Sequence, residues 1–233
     1  ARYRTPAFLG VDLAADNLAT QLKADGPCAF LTWHLPLDLI EALAGRIPRN
    51  QKILARLKEF LQGGKARYHC TAATLLHASG SGWMPKRGPQ QPWLDIDDRY
   101  GCRKPIRDRK RKREPRKIWL DLAGASLPAA AWPGIDLTSV FLTAVDFTVA
   151  DLANADLSGV QAAGACFRHA ILANADLSEM AASGADFTSA DLTLAQLRHA
   201  RFDAANFTEA NFSHATLEKT DLRVADLTRA CFR

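Results

Sequence analysis

The second half of the chain is organised by a five-residue period. From Leu122 to Phe232 a large hydrophobic residue, or occasionally alanine, recurs at every fifth position, and a second column made mostly of alanine runs two residues ahead of it. An α-helix repeats about every 3.6 residues and a strand every two, so neither keeps every fifth residue on one face. The period therefore predicts a coil of four pentads per turn, with the large residue on the axis and five to six stacked coils.

The repeated segments resemble a known family. The strings ADLANADLSG, ADFTSADLT and ANFTEANFSHATLEKTDL are similar to the A-(D/N)-L-x-x unit of the pentapeptide-repeat family, and the resemblance extends over residues 120–233. It implies a mainly β fold, a right-handed quadrilateral β-helix. We therefore divide the chain into a small helical or α/β region (1–79), a linker that is first rich in glycine and proline and then strongly basic (80–117), and the β-helix (118–233).

Two features at the ends of the repeat are irregular. Pro128 and Pro133 fall in its first turn, where they predict a distorted coil or a cap. At the other end the repeat continues to Phe232 without a polar capping helix. An uncovered last coil exposes unpaired backbone groups, so this end predicts a partner, self-association or truncation.

Helical periodicity dominates the first 79 residues. Residues 50–62 place their apolar side chains on one face, with Asn50 as the N-cap and a Gly-Gly pair directly after the helix. Three further helices are predicted, over residues 13–22, 36–46 and 71–80. The apolar run CAFLTWHL, residues 28–35, is predicted to be a buried strand.

Charge is divided unevenly between the two parts of the chain. Residues 1–117 carry a net charge of +12, and residues 118–233 carry −7. Residues 99–117 hold eleven basic and two acidic residues, a density that repels itself and is not expected to pack alone. This segment could contact the phosphates of RNA or another nucleic acid, bind an acidic protein surface or the chain's own acidic half, act as a nuclear-type address, or be a solvated linker. The candidate contact residues are Arg103, Lys104, Arg107, Arg109, Lys110, Arg111, Lys112, Arg113, Arg116 and Lys117.

Aspartates that stand twenty residues apart are predicted to stack in neighbouring coils, about 5 Å from one another. One ladder consists of Asp136, Asp156 and Asp176, and an adjoining side carries a second row with gaps, made of Asp146, Asp186 and Asp226. These aspartates either form turns by accepting hydrogen bonds from nearby backbone and hydroxyl groups, or make a negatively charged rod. If they make a rod, the resemblance implies DNA mimicry as its function. Some pentapeptide-repeat proteins are similar to duplex DNA in width and charge and bind bacterial gyrase. Several arginines interrupt the acidic half of this chain.

The sequence offers no chemistry typical of an enzyme. It contains no phosphate-binding loop, dinucleotide glycine fingerprint, nucleophile elbow or HExxH motif, so it predicts neither catalysis nor a cofactor. His69, Cys70, His77 and Cys102 match no zinc-ligand spacing, and no metal site is predicted. No apolar run reaches the roughly 18 residues of a membrane span. Five cysteines in unpaired spacing indicate a reducing compartment, the cytoplasm or an organelle matrix.

The leading hypothesis is a non-catalytic scaffold. Its rigid β-helix faces, or the uncovered last coil, would bind protein partners, while the basic segment attaches the module to a larger assembly through an acidic surface or nucleic acid. The alternative is a DNA-mimicking modulator of a topoisomerase such as gyrase.

Overall fold

A computed structural model of the chain describes residues 6–24, 28–32, 35–48, 50–62, 68–86, 94–95, 117–118 and 120–233. In these ranges four α-helices come first, α1 (Pro6–Lys23), α2 (Leu37–Ala44), α3 (Gln51–Gln62) and α4 (His69–Ala78), with a 3-10 helix at Ala29–Thr32 between α1 and α2. The short strands β1 (Leu94–Asp95) and β2 (Lys117–Ile118) then pair antiparallel, and β3 (Leu120–Asp121) and β4 (Val140–Phe141) pair in parallel. Within the described ranges, no helix combines the length and the apolar character that crossing a membrane requires.

The predicted helices of the first 79 residues are confirmed, and α3 begins where its capping residue predicts. The Asn50 Oδ1 accepts hydrogen bonds from the Lys52 and Ile53 N–H groups at 3.1 and 3.3 Å. These bonds satisfy two of the N–H groups that the first turn of a helix leaves without a partner.

The predicted strand over residues 28–35 is wrong, because Ala29–Thr32 forms a 3-10 helix with Phe30 and Leu31 buried. The Leu31 N–H donates to the Cys28 carbonyl, and the Thr32 hydroxyl donates to the Ala29 carbonyl at 2.7 Å. The segment therefore satisfies backbone groups locally and buries its apolar side chains without a strand partner. The described part of residues 1–79 contains no strand, so that part is helical rather than α/β.

Beyond β3 the chain forms a β-helix held together by parallel bridges. Each single bridge joins residues twenty apart, from Ser126 and Asp146 at one end to Asn211 and Cys231 at the other. One turn therefore takes 20 residues, in agreement with four pentads per turn. We number the positions of a pentad one to five, so that in residues 150–154 the alanine is first, the buried central leucine is third and the asparagine is fifth.

Backbone hydrogen bonds use every N–H of a typical pentad except the fourth. In residues 150–154 the first, second, third and fifth N–H groups donate to backbone carbonyls at 2.8 to 3.0 Å. The fourth N–H, that of Ala153, donates to the Asp151 side chain instead, at 3.1 Å. Proline lacks an N–H and can therefore occupy the fourth position without breaking a bond between coils.

This bonding pattern corrects the prediction of a distorted first turn. Pro128 and Pro133 both occupy fourth positions, where no N–H is needed. The central residues before them, Leu127 and Trp132, donate their N–H groups to the next coil at 2.8 Å. Neither proline therefore interrupts the hydrogen bonds from the first turn to the next coil.

The fifth position of every pentad from residues 120–124 to 225–229 has a left-handed backbone, with φ between 54° and 71°. Glycine and asparagine adopt this conformation at little cost, whereas a β-branched side chain clashes with its own backbone there. Valine nevertheless occupies it twice, at Val149 with φ 59° and at Val224 with φ 58°. These two turns carry backbone strain.

Replacing Val149 by asparagine is expected to stabilise the protein by about 1 kcal/mol, because the strain of a β-branched residue in the left-handed region is relieved. Its side chain is 55% exposed, so the substitution removes little packing. The measurement is the free energy of unfolding in guanidinium chloride. The control Val149→Ala keeps a Cβ without the branch and should give a smaller gain, whereas equal stability of all three proteins would show that the turn is unstrained.

Third-position side chains stack along the axis and form the core. One column of fully buried aromatic rings has centroids 4.8 to 5.7 Å apart and consists of Phe147, Phe167, Phe187 and Phe207. Trp132 meets the first of these rings edge-on at 5.6 Å. Aromatic pairs of this kind contribute about 0.5 to 1.5 kcal/mol each beyond the burial of their area, so this column stabilises the middle of the β-helix.

Candidate interaction surfaces

The aspartate ladder forms in the structure, with one carboxylate in each of three successive coils. Asp136 pairs with Asp156, which pairs with Asp176. Each Oδ1 accepts the N–H of the fourth residue in its own pentad, at 2.8 to 2.9 Å. The ladder stops in the next coil, where Gln196 follows Asp176. The carboxylates are therefore bound to their own turns, as the turn-forming interpretation expects.

The second acidic row is interrupted by uncharged residues and neutralised in part. It runs in the order Asp146, Cys166, Asp186, Asn206 and Asp226. The Asp186 Oδ1 accepts both the N–H and the hydroxyl of Thr188, at 2.9 and 2.5 Å, and the Arg168 guanidinium lies 3.9 Å from its other oxygen. Hydrogen bonds from the Thr228 hydroxyl and N–H lower the pKa of Asp226. This row does not form a continuous negative strip.

The predicted basic contact residues fall almost entirely outside the described residues. Arg103, Lys104, Arg107, Arg109, Lys110, Arg111, Lys112, Arg113 and Arg116 are in this group. Lys117 is described only as part of β2, where its backbone pairs with that of Asp95. The role of the basic segment therefore stays a prediction.

Sequence reasoning missed one surface, which we call the Ile171 row: the stacked pentads 150–154, 170–174, 190–194 and 210–214. Ile171 occupies a second position, where most pentads have a polar residue, and is 44% exposed between Asp151 and Asp191 of the adjacent coils. Val149 and Leu194 lie at the two edges of the row and are 55% and 54% exposed. The row contains no lysine or arginine. It combines exposed apolar side chains with two carboxylates, and an isoleucine in the aspartate column was the signal that could have revealed it.

The helical region meets the β-helix through α4, whose side chains bond to the backbone of the first coil. The Asp121 N–H donates to the His69 Nδ1 at 3.2 Å, and the Ser126 N–H donates to the Thr74 hydroxyl at 3.1 Å. In later coils such second-position N–H groups donate to carbonyls of the preceding coil. The side chains of α4 therefore take the place of a preceding coil and cap this end of the β-helix.

A third contact between α4 and the first coil uses a carbonyl. The His77 Nε2–H donates to the Pro128 carbonyl at 2.7 Å. In addition, Trp83 packs edge-on against Trp132 of the first coil, with ring centroids 5.8 Å apart. The cap thus combines polar and aromatic contacts.

Burial perturbs three titratable groups at this junction. It lowers the pKa of His69 to about 4, and it raises the pKa of Cys70 to about 11 with the Asp121 carboxylate adding to the effect. Burial also raises the pKa of Asp121, against the opposing effect of the Ala123 N–H. Because the His69 Nδ1 accepts an N–H, the neutral imidazole carries its proton on Nε2, which has no hydrogen-bond partner among the described residues.

The residues considered for zinc serve other roles where the structure describes them. His69 and His77 bond to the first coil, Cys70 is a protonated thiol, and Cys102 lies outside the described residues. Throughout the described ranges no group of three or more His, Cys, Asp or Glu side chains is arranged to hold a metal ion.

These features define a β-helical solenoid with a helical cap. The sequence model for pentapeptide repeats matches eight copies, over residues 135–172, 170–208 and 205–233. Residues 135–233 are therefore similar to the pentapeptide-repeat family, and the C-terminal part of the chain is a right-handed β-helix preceded by a helical region.

The solved structures similar to this chain include two that are described as pentapeptide-repeat proteins. HetL, involved in heterocyst differentiation regulation in the cyanobacterium Nostoc sp. strain PCC 7120, is 27% identical over 48% of this chain and 52% of its own, with a TM-score of 0.47. A protein of the Arabidopsis thaliana thylakoid lumen is 29% identical over 44% of this chain and 64% of its own, with a TM-score of 0.23. QnrB1, a plasmid-mediated fluoroquinolone resistance protein, is 17% identical over 49% of this chain and 76% of its own, with a TM-score of 0.30. The chain spans about half the length of HetL. No curated protein sequence matches it.

Proposed function

We propose that the protein is a non-catalytic scaffold that docks onto protein partners within a larger assembly. In this proposal residues 118–233 form a four-sided β-helix of five to six coils that presents the docking surface. The helical region, residues 1–79, covers one end, and the basic linker, residues 80–117, contacts an acidic surface or nucleic acid. The assembly is in the cytoplasm or another reducing compartment.

The observation that carries this proposal is the Ile171 row. Single exposed apolar residues are common on proteins, but Ile171 and Leu194 lie in one row of stacked pentads, with Val149 at its edge. The backbone beneath them is fixed by hydrogen bonds between coils, so a partner that binds there orders little of this chain. Asp151 and Asp191 flank the isoleucine and favour a partner that combines an apolar side chain with basic residues.

The test is to purify the protein natively and determine its mass by size-exclusion chromatography with light scattering, at low and high salt, with mass spectrometry of whatever copurifies. We expect elution within a larger complex. Ile171→Glu should abolish the association, while Gln196→Glu, which puts the same side chain at the second position of another row, should not. A free protein that takes up no partner in either salt would refute the scaffold.

The basic linker is tested in the same preparation. If residues 99–117 neutralise phosphates, nucleic acid should copurify and be released as salt rises, because each phosphate contact displaces counterions. Release of the protein partner by nuclease treatment would indicate attachment through nucleic acid. Association that resists both nuclease and salt would indicate the β-helix faces alone.

The aspartate ladder favours a second candidate, a DNA-mimicking modulator of a topoisomerase such as gyrase. Asp136, Asp156 and Asp176 place like charges in register in successive coils, as a phosphate backbone does. The ladder covers three coils, and Arg198 lies beyond it in the next pentad of the same row. Under this candidate the protein inhibits or protects a topoisomerase in a salt-dependent manner, and changing the three aspartates to asparagine removes the effect while keeping the turns. Unchanged inhibition by that variant would exclude the ladder as its cause.

A further inference from the structure

A cavity of about 330 Å³ lies at the junction of the helical region with the β-helix. One wall is α3 and another is the segment 82–86 that follows α4. Its buried lining residues are Leu61, Pro85 and Leu120, so part of an otherwise polar lining offers apolar contacts. The volume is at the lower end of the range for ligand sites and suits one large side chain or a small molecule.

Trp83 and Met84 complete the apolar part of the lining, and both are half-buried. The Trp83 ring also makes an edge-on contact with Trp132 of the first coil. Trp132 in turn packs against the buried phenylalanine column. This wall is therefore supported by the β-helix and needs little rearrangement to receive a ligand.

The mouth of the cavity is positively charged. Lys58 from α3 and Lys86 from the 82–86 segment are both exposed at the rim, together with the Gln62 side chain one helical turn after Lys58. None of the described residues that line the cavity is acidic. Two ammonium groups on different segments can bind carboxylates on both sides of an inserted apolar group.

We infer that this cavity is a docking site for an acidic peptide segment that inserts one apolar side chain, with its flanking carboxylates held by Lys58 and Lys86. A peptide accounts for both parts of the site, because it supplies carboxylates on either side of a single apolar anchor. The site is separate from the Ile171 row and does not depend on it.

The experiment measures binding of a fluorescein-labelled Glu-Glu-Phe-Glu-Glu peptide to the full chain by fluorescence anisotropy at low salt. We expect saturable binding that weakens at least tenfold in the double variant Lys58→Glu, Lys86→Glu. The matched control is Lys23→Glu, Lys52→Glu, which changes the net charge equally at two exposed lysines outside the cavity. Thermal unfolding of both variants establishes that they are folded.

Two further binding measurements distinguish insertion of the phenylalanine ring from attraction between charges alone. The peptide Glu-Glu-Ser-Glu-Glu has the same charge without the ring and should bind at least tenfold more weakly. Equal binding of the two peptides, or equal loss in the two lysine variants, would overturn the inference, since either shows unspecific attraction to a basic protein. Displacement of the peptide by phenylacetate at similar concentration would also overturn it and assign the cavity to small carboxylates.

Discussion

Phe187→Ala is expected to reduce the free energy of unfolding by about 3 to 5 kcal/mol, the range for removal of a fully buried phenylalanine. Its ring stacks on Phe167 and Phe207 at 4.8 Å and also meets Phe202 edge-on at 5.5 Å. The loss therefore includes a cavity and several aromatic contacts in the middle of the β-helix. Unfolding in guanidinium chloride, followed by circular dichroism, measures it.

The chain provides a matched control in Phe232. This ring stacks on Phe212 at 4.9 Å, as Phe187 does on its neighbours, but it is 50% exposed. Phe232→Ala should cost only about 1 kcal/mol, because half of its surface is already in contact with water. Equal losses in the two variants would contradict the assignment of Phe187 to a packed core.

His69→Ala is expected to cost about 3 kcal/mol, since it leaves the Asp121 N–H without an acceptor and opens a cavity under α4. His69→Asn should recover much of the loss, because the asparagine Oδ1 can accept the N–H in place of Nδ1. Thermal and denaturant unfolding of both variants test whether this one bond holds the cap on the first coil. Equal losses would assign the effect to packing rather than to the hydrogen bond.

The same residue predicts an acid-sensitive junction. Folding lowers the pKa of His69 from 6.5 to about 4, so above pH 6.5 the imidazole is neutral in both states. As the pH falls below 6.5, the imidazole is protonated in the unfolded chain but stays neutral in the folded chain. The free energy of unfolding therefore declines until about pH 4, by about 3 kcal/mol in total. The raised pKa of Asp121 has the opposite effect on stability, because the folded chain then binds a proton before the unfolded chain does. This contribution is present in every variant that keeps Asp121.

The pH dependence is therefore measured as the difference between the wild-type protein and His69→Asn. The wild type should lose stability relative to the variant between pH 6.5 and pH 4, and the two should run parallel above pH 7. A constant difference over the whole range would show that the imidazole is not buried in its neutral form. Cys70 does not contribute in this range, because burial raises its pKa to about 11.

The period of the β-helix could be predicted from the sequence because the side chains at the axis are under one constraint in every coil. A buried third position accepts only apolar residues, so Leu152, Phe187 and their counterparts keep the phase visible. The left-handed fifth position could not be recognised in the same way. Glycine at this position, as at Gly159, indicates a left-handed backbone. Many other pentads have residues such as Glu179 or Lys219 there, which do not indicate that conformation although they adopt it.

The cap could not be predicted because the residues that form it carry no local signature. His69, Thr74 and His77 follow from the position of α4 against the first coil, which depends on long-range packing. The strand prediction for residues 28–35 was wrong for a related reason, since a short apolar run fits a buried strand and a buried 3-10 turn equally well. The aspartate ladders, in contrast, needed only the 20-residue repeat.

The same set of backbone hydrogen bonds joins each coil to the next along the β-helix. This regularity limits how such a chain can change its length. An insertion or deletion of 20 residues would preserve every row, because all later residues keep partners of the same kind. A change of five residues would preserve the buried column but move every later pentad into the neighbouring row, so that a change between Asp151 and Ile171 would separate these two residues. Surfaces of this protein can therefore grow or shrink only by whole turns, whereas its core tolerates steps of a single pentad.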